Sequence, residues 1–346
     1  MALSFLPFEA VKAAVLADDA QKADYLVPLN ELEVEVGEDG KWGCLCPFGT
    51  FSFSPLAQEQ VCQKLGLPLS YLRRCPPWLQ RQNLSFWLSK RQQKGGKVLL
   101  RTKGEWVRAF LSPSFSPFDH RDLLQVLESL PSVGETLLPF QFALTEKALH
   151  LSLLNPEPVE VAWDGRRERL HLGVYLRNSE VGFAKVALSA CLHRHACGNL
   201  FVSETVFAKV HLGLDKGAIR ERLSSALKRA LTLTAPKIAQ ALQASLSVLL
   251  SPKAKERAFA HAAKLAGQKA LKALLATEYE REKEQSGSGE TLFTLTQALT
   301  RVASRLPDAE TKFVLCRWAT SLLPQGNGED LLWQGGEGRW SFPPSG

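Results

Sequence analysis

Apolar and polar residues alternate at Leu32, Val34 and Val36, between Asn30 and Gly37, and this period of two predicts a short strand that ends at the turn Glu38–Asp39–Gly40. Trp42 to Phe53 reads as a second strand-like stretch. At Ser54–Pro55 the pattern changes. Serine is a favoured N-cap and proline suits the first helical position, so a helix is expected with Leu56, Val61, Leu65 and Leu67 supplying its apolar stripe and Gly66 as its stop. Pro68 opens a short helix holding Tyr71 to Arg74, and a third helix is expected from about Trp78 to Gln92, ended by Gly95–Gly96. Lys97–Thr102 and Glu105–Leu111 then flank Lys103–Gly104 as a tight hairpin. Phe118–Asp119 leads into an amphipathic helix with Leu123, Leu124, Leu127 and Leu130. Phe140–Leu144 and Ala148–Leu154 form another hairpin, and strand-like runs follow at Val159–Trp163, Leu170–Arg177, Phe183–Leu192 and Leu200–Val210. Six to eight strands with short turns predict an α+β fold, a largely antiparallel sheet with packed helices.

From Asp215 the spacing is helical. Leu223, Ala226, Leu227 and Leu231 share a face, Pro236 restarts a helix, Pro252 starts another, and alanine-rich sequence runs to Glu284. QSGSG at 285–289 reads as a flexible linker before two helices, Thr291–Leu306 and Asp308–Leu323. The expected organisation is therefore an acidic strand region at 1–53, an α+β core at 54–214 containing a basic helical segment at 61–110, a helical region at 215–284, C-terminal helices at 290–323 and a flexible tail at 324–346.

Charge sharpens this division. The chain of 346 residues has a net charge of +7, but residues 1–60 carry 3 basic and 10 acidic groups while residues 61–110 carry 11 basic and 1 acidic. A block of +10 in fifty residues points to a polyanion partner; the plain alternative is a solvated basic face. The acidic first sixty residues could also fold against the basic block and neutralise it in cis. No run of about 18 apolar residues exists, and the N-terminus has no basic region before its apolar residues, so neither a membrane span nor a secretory signal is expected. Seven cysteines, an odd number spread along the chain, fit thiols in a reducing compartment, and a cytoplasmic protein is the expectation.

Within the basic block, Arg73, Arg74, Arg81, Lys90, Arg91, Arg101 and Arg108 are interleaved with Tyr71, Trp78, Phe86, Trp87 and Trp106. Cations neutralise phosphates, and aromatic rings stack on unpaired bases with little sequence preference. Together they fit single-stranded nucleic acid better than a duplex, whose bases are hidden. Trp78 and Trp106 are candidates for stacking, whereas Phe86 is expected to pack in the core. Cys191, His193, His195 and Cys197 alternate and would share a strand face, but that spacing is wrong for a structural zinc site, and Cys44–Leu45–Cys46 lacks the usual spacer. Asp119, Asp122, Glu168 and Glu180 are the best carboxylates for metal or acid–base work; Glu180 beside Lys185 is suggestive, and Asp119 also suits a helix N-terminus. No phosphate loop, GxSxG elbow or HExxH motif occurs, so no cofactor and no metal are expected.

Four stretches carry a resemblance: FSPLAQEQVCQKLGLPLSYLRRCP at 53–76, LLRTKGEWVRAFLSPSFSPFDHRDLL at 99–124, GVYLRNSEVGFAKVALSACLHRHACGN at 173–199 and VHLGLDKG at 210–217. Together they resemble the phage/plasmid-like family of mobile-element proteins over residues 30–280. The most specific pieces are Val107–Arg108–Ala109 with Leu111–Ser112, Asn178–Ser179–Glu180–Val181–Gly182, and Arg194 with Cys197–Gly198–Asn199. The chain departs from the family's Cys-x-Asn-Gly at Leu200. The resemblance implies a mobile-element setting but no reaction. The expected layout is also similar to that of single-strand annealing proteins, which combine a curved antiparallel sheet with ring or filament assembly, and this implies a homo-oligomer. In the motifs, Gly173 and Gly182 would allow turns, Asn178 would bond its own backbone, and Arg101, Arg108 and Arg177 beside strands would either read phosphate or pair with Glu180.

The reading favoured by these residues is a non-enzymatic protein that binds single-stranded DNA through Arg73, Arg74, Trp78, Arg81, Lys90, Arg91, Arg101, Trp106, Arg108 and Arg177, and that promotes annealing or recombination without ATP. The alternatives are a metal-dependent nuclease using Asp119 or Glu180, and a structural or host-interaction protein whose basic block serves an acidic protein.

Overall fold

A computed structural model describes residues 3–163, 166–196, 198–211 and 216–324. Residues 325–346 of the expected 324–346 tail, and Cys197, lie outside the described residues. The fold is α+β, with mostly antiparallel sheets and a helical C-terminal region. The chain divides into two compact units. The first comprises Met1–Pro158, Leu172–Ala190 and Thr205–Leu231; the second comprises Val159–His171, Cys191–Glu204 and the chain from Thr232 onward. The division cuts through the 54–214 segment, because the long strands there supply one end to each unit.

The first unit opens with a helix, α1 (Phe8–Asp19), so its N-terminal segment is not built of strands alone. A six-stranded sheet follows, in the order β1-β5-β6-β4-β3-β2, from β1 (Lys22–Pro28), β2 (Glu33–Val36), β3 (Trp42–Cys46), β4 (Gly49–Phe53), β5 (Lys97–Lys103) and β6 (Trp106–Leu111). The Trp42–Phe53 stretch is a hairpin rather than one strand: Pro47 lacks a ladder N–H, and β3 pairs antiparallel with β4 from Gly43↔Ser52 to Cys46↔Gly49. Pairing is parallel at β4/β6 because the intervening chain crosses over through helices α2 (Pro55–Leu65), α3 (Leu69–Leu72) and α4 (Pro77–Gln92). Ser54 caps α2 by accepting from the Ala57 N–H at 3.1 Å, and Gly66 ends it in the left-handed region at φ 73°.

Burial differs sharply between these helices. Leu56, Ala57, Val61, Cys62 and Leu65 of α2 are buried, but α4 buries only Leu84 and Leu88. With about 100° per residue, Phe86 lies roughly 200° around the helix from Leu84. The α4 stripe is too narrow to cover its other aromatics.

The remaining strands are β7 (Leu138–Leu144), β8 (Leu149–Leu154), β9 (Val159–Trp163), β10 (Arg166–Asn178), β11 (Val186–Arg194) and β12 (Asn199–Lys209). In the first unit, β8 is buried along its length and pairs antiparallel with β7 and β10. Gly173 makes no turn: a Cβ there would lie 2.1 Å from the Leu153 oxygen, so the residue permits close approach of two strands. Helix α5 (His120–Glu128) begins at Asp119 as expected, and Asp122 closes a capping box on the Asp119 N–H at 2.9 Å. Asn178 does not bond its own backbone. Fully buried at the end of β10, its Nδ2 donates to the Phe118 oxygen at 3.0 Å.

Helix α6 (Lys216–Arg229) closes the first unit, and a π-helical stretch at Ala230–Thr234 leads straight into α7 (Ala235–Ala244). Pro236 therefore lies inside a continuing helical path instead of restarting a helix, and the irregular π-helical turn immediately before it is where a proline's missing N–H and ring are accommodated. The second unit contains α7, α8 (Pro252–Leu265), α9 (Leu271–Ser286), α10 (Leu292–Ser304) and α11 (Ala309–Ser321). Helix α10 is buried on almost every side, and its polar residues are bonded accordingly: Asn199 donates to Gln297 Oε1 at 2.6 Å. The 285–289 segment is not loose. Gly287 caps α9 at φ 65°, and Ser288 Oγ lies 2.8 Å from Thr294 Oγ1.

Candidate nucleic-acid interface

Arg73, Arg74, Trp78, Arg81, Lys90 and Arg91 are all exposed along α3, α4 and their junction. Trp78 is 62% exposed, and Tyr71, Phe86 and Trp87 of the same helical segment are also exposed. Phe86 is thus not a core residue, as its position opposite Leu84 requires. The Phe86 and Trp87 rings meet edge to face at 5.4 Å, and the Lys90 ammonium lies 5.7 Å over Phe86. Arg81 is held by its backbone contact, donating Nε and Nη2 to the Val36 oxygen at 3.2 and 2.6 Å. Arg73, Arg74, Lys90 and Arg91 form no ion pair with any described residue. Helix α4, of 16 residues, is about 24 Å long, so this surface spans several nucleotides of an extended strand.

Arg101 and Arg108, expected beside them, do something else. Arg101 is 2% exposed. Its Nε donates to Asp24 Oδ1, its Nη1 to the Glu180 backbone oxygen, and its Nη2 lies against Asp119 Oδ1, each at 2.8 Å. Arg108 Nη1 donates to Glu180 Oε2 at 2.9 Å. The same oxygen accepts from Lys22 Nζ at 2.8 Å, and Glu180 Oε1 accepts from the His120 backbone N–H at 2.7 Å. Lys185 is not the partner of Glu180. Asp18 pairs with both Lys22 and Lys103. Both guanidinium groups are engaged in charge-assisted bonds within the fold, Arg101 wholly and Arg108 at the edge of a cavity. Arg177 is half-buried, its guanidinium 5.3 Å over the Phe183 ring. Trp106, 51% exposed, lines a cavity of about 570 Å³ together with Lys103, Arg108, His120 and Lys147 and with no residue of α4.

The electrostatics follow from burial. Burial alone raises the Glu180 carboxyl, but the imidazole of His120, the ammonium of Lys22 and the His120 N–H outweigh it and hold the group well below the usual carboxylate range. Burial raises Asp119, Arg101 opposing and Glu180 reinforcing. Burial also pushes the imidazole of His120 down to about 4. One oxygen each from Asp19, Asp119 and Glu180 fall within 4.8 Å of one another, which is the convergence a metal-dependent nuclease needs. Cations already occupy it, however: Arg121 holds Asp19 at 2.9 Å, Arg101 lies on Asp119, and Lys22 and Arg108 share Glu180. The donor set therefore fits a closed ion network better than an open metal site.

Of the Cys191-to-Cys197 run, Cys191, His193 and His195 are among the described residues. Cys191 is a buried thiol, as is Cys316, whose pKa burial pushes up to about 12. His193 and His195 meet His171 of β10 instead. Cys44 and Cys46 are buried free thiols.

Lys22, Asp18 and Asp24 are the residues that reasoning from motifs misses, and their one signal is the acidic segment preceding the basic one. In comparisons with known proteins, no family model, no curated protein and no solved structure matches the chain. No helix among the described residues is long and apolar enough to cross a membrane.

Proposed function

We propose that the chain binds single-stranded nucleic acid, DNA in particular, along α3 and α4, as a cytoplasmic protein of mobile-element type that promotes annealing without ATP and works as a homo-oligomer. One observation carries this reading: four cations without acidic partners among the described residues, Arg73, Arg74, Lys90 and Arg91, lie on the same α3–α4 segment as the exposed rings of Tyr71, Trp78, Phe86 and Trp87. Exposed aromatic rings are costly in water unless something covers them, and unpaired bases are flat apolar partners that bring their own phosphates. Arg101, Arg108 and Arg177 are removed from the contact set, and Trp106 belongs to a separate cavity.

A mobility-shift titration with single- and double-stranded oligonucleotides at two salt concentrations tests the reading. Tighter binding to the single strand, weakening steeply with salt, is expected. No binding to either at low salt overturns it in favour of an acidic protein partner. The nuclease alternative rests on the convergence of Asp19, Asp119 and Glu180, each already met by a cation, and cleavage of labelled DNA with magnesium or manganese that is lost in Asp119→Ala would decide for it.

A further inference from the structure

Three histidines gather in the second unit. His171 lies near the start of β10, His193 near the end of β11, and His195 just past it, where its backbone N–H donates to the Arg169 oxygen at 3.0 Å and so keeps the two strands in step. His171 is 3% exposed, His193 2%, and His195 is half-buried. The His171 ring centre is 5.5 Å from that of His195 and 6.2 Å from that of His193. Nε2 of His171 and Nδ1 of His195 are 3.3 Å apart.

That separation has a second meaning besides a hydrogen bond. Two imidazole nitrogens at about 2.0–2.1 Å from one tetrahedral zinc ion stand roughly 3.3–3.4 Å from each other. The carboxylate nearest in sequence supplies no ligand, because Glu168 is engaged by Arg194, with Nε on Oε2 at 3.1 Å and Nη2 on Oε1 at 2.5 Å. The donors at this point are imidazoles, which suit zinc and its first-row neighbours and not magnesium or calcium.

We propose that the second unit binds one divalent first-row transition ion between His171 Nε2 and His195 Nδ1, with His193 lining the site. The ion bridges two neighbouring strands by replacing the hydrogen bond between two imidazoles that already stand at ligand spacing, the donor ring shifting its proton to its other nitrogen. The proposal is independent of nucleic-acid binding by α3 and α4.

Zinc chloride is the probe. The full-length, tag-free chain is freed of metal with a chelator, then titrated, and bound zinc is measured by elemental analysis after gel filtration. One equivalent per chain is expected, together with a rise in melting temperature as zinc is added. His195→Gln changes a half-buried residue and should keep the fold, checked by circular dichroism; it is expected to weaken zinc binding at least about tenfold and abolish the melting shift. His261→Gln, on α8 in the same unit, is expected to change neither. No zinc uptake by the unaltered chain, uptake unchanged by His195→Gln, or an equal loss in His261→Gln would each overturn the proposal.

Discussion

Arg101 and Arg108 come from the same fifty-residue basic block as Arg73, Arg74, Lys90 and Arg91, yet the two groups occupy opposite electrostatic situations. Arg101 and Arg108 sit on central strands and are met by Asp24, Asp119 and Glu180. The other four sit on or beside α3 and α4, which bury only Leu72, Leu84 and Leu88, and they face solvent. The difference teaches that a formal charge of +10 overstates a binding surface. A cation bonded to a buried carboxylate contributes to folding, and its field at a distance is largely cancelled. Only the cations left over by the fold can release counterions from a strand of nucleic acid.

The comparison can be broken most severely at Glu180. Glu180→Gln leaves Lys22 and Arg108 buried without their shared anion, and chemical denaturation should show a loss of about 3–5 kcal/mol. If stability hardly changes, the buried network is not structural and the contrast collapses. A second, smaller loss is expected on acidification. The folded His120 imidazole, among Glu180, Lys22, Arg108 and Asp18, has its pKa pushed down to about 4 by burial, below its ordinary value. The unfolded chain therefore binds more protons between about pH 6.5 and 4, and stability should fall as pH drops through that window. Melting temperatures between pH 7 and pH 4 measure this, and the fall should be shallower in His120→Gln.

The solvent-facing group should behave in the opposite way. Replacing Arg73, Arg74, Lys90 and Arg91 with Gln should leave stability within about 0.5 kcal/mol. The same change should flatten the slope of log affinity against log salt for a single strand by up to about 0.7 per lost phosphate contact. Confined to a single ring, Trp78→Ala should cost about 1–3 kcal/mol of single-strand affinity, measured by fluorescence titration, with no change in salt slope. Loss of folding on changing these residues would show that the exposed face serves the fold after all.

Much of the local architecture was legible because its causes lie within a few residues. Ser54–Pro55 and Gly66 bracket α2, and Asp119 begins α5, since capping groups reach only three or four positions along the chain. Pro47 was the readable mark of a hairpin within Trp42–Phe53, and a strand reading that ignored it merged β3 with β4. The basic segment and its aromatics were visible as composition. Partnership was not. Arg101 finds Asp24 77 residues away and the Glu180 oxygen 79 residues away, separations at which no spacing rule operates. Phe86 was assigned to the core because phenylalanine usually goes there, whereas the phase set by Leu84 and Leu88 places it outside.

What the sequence determined by itself was the order and kind of elements, from periodicity and caps, and the segregation of charge into an acidic start followed by a basic block. Which of those charges remain available was decided by tertiary structure. In β5, Leu100, Arg101 and Thr102 are buried in succession, so both faces of the sheet are covered there. Alternation along a strand assigns residues to two faces, but only long-range packing decides whether the second face meets water or, as at Arg101, a set of carboxylates brought from elsewhere in the chain.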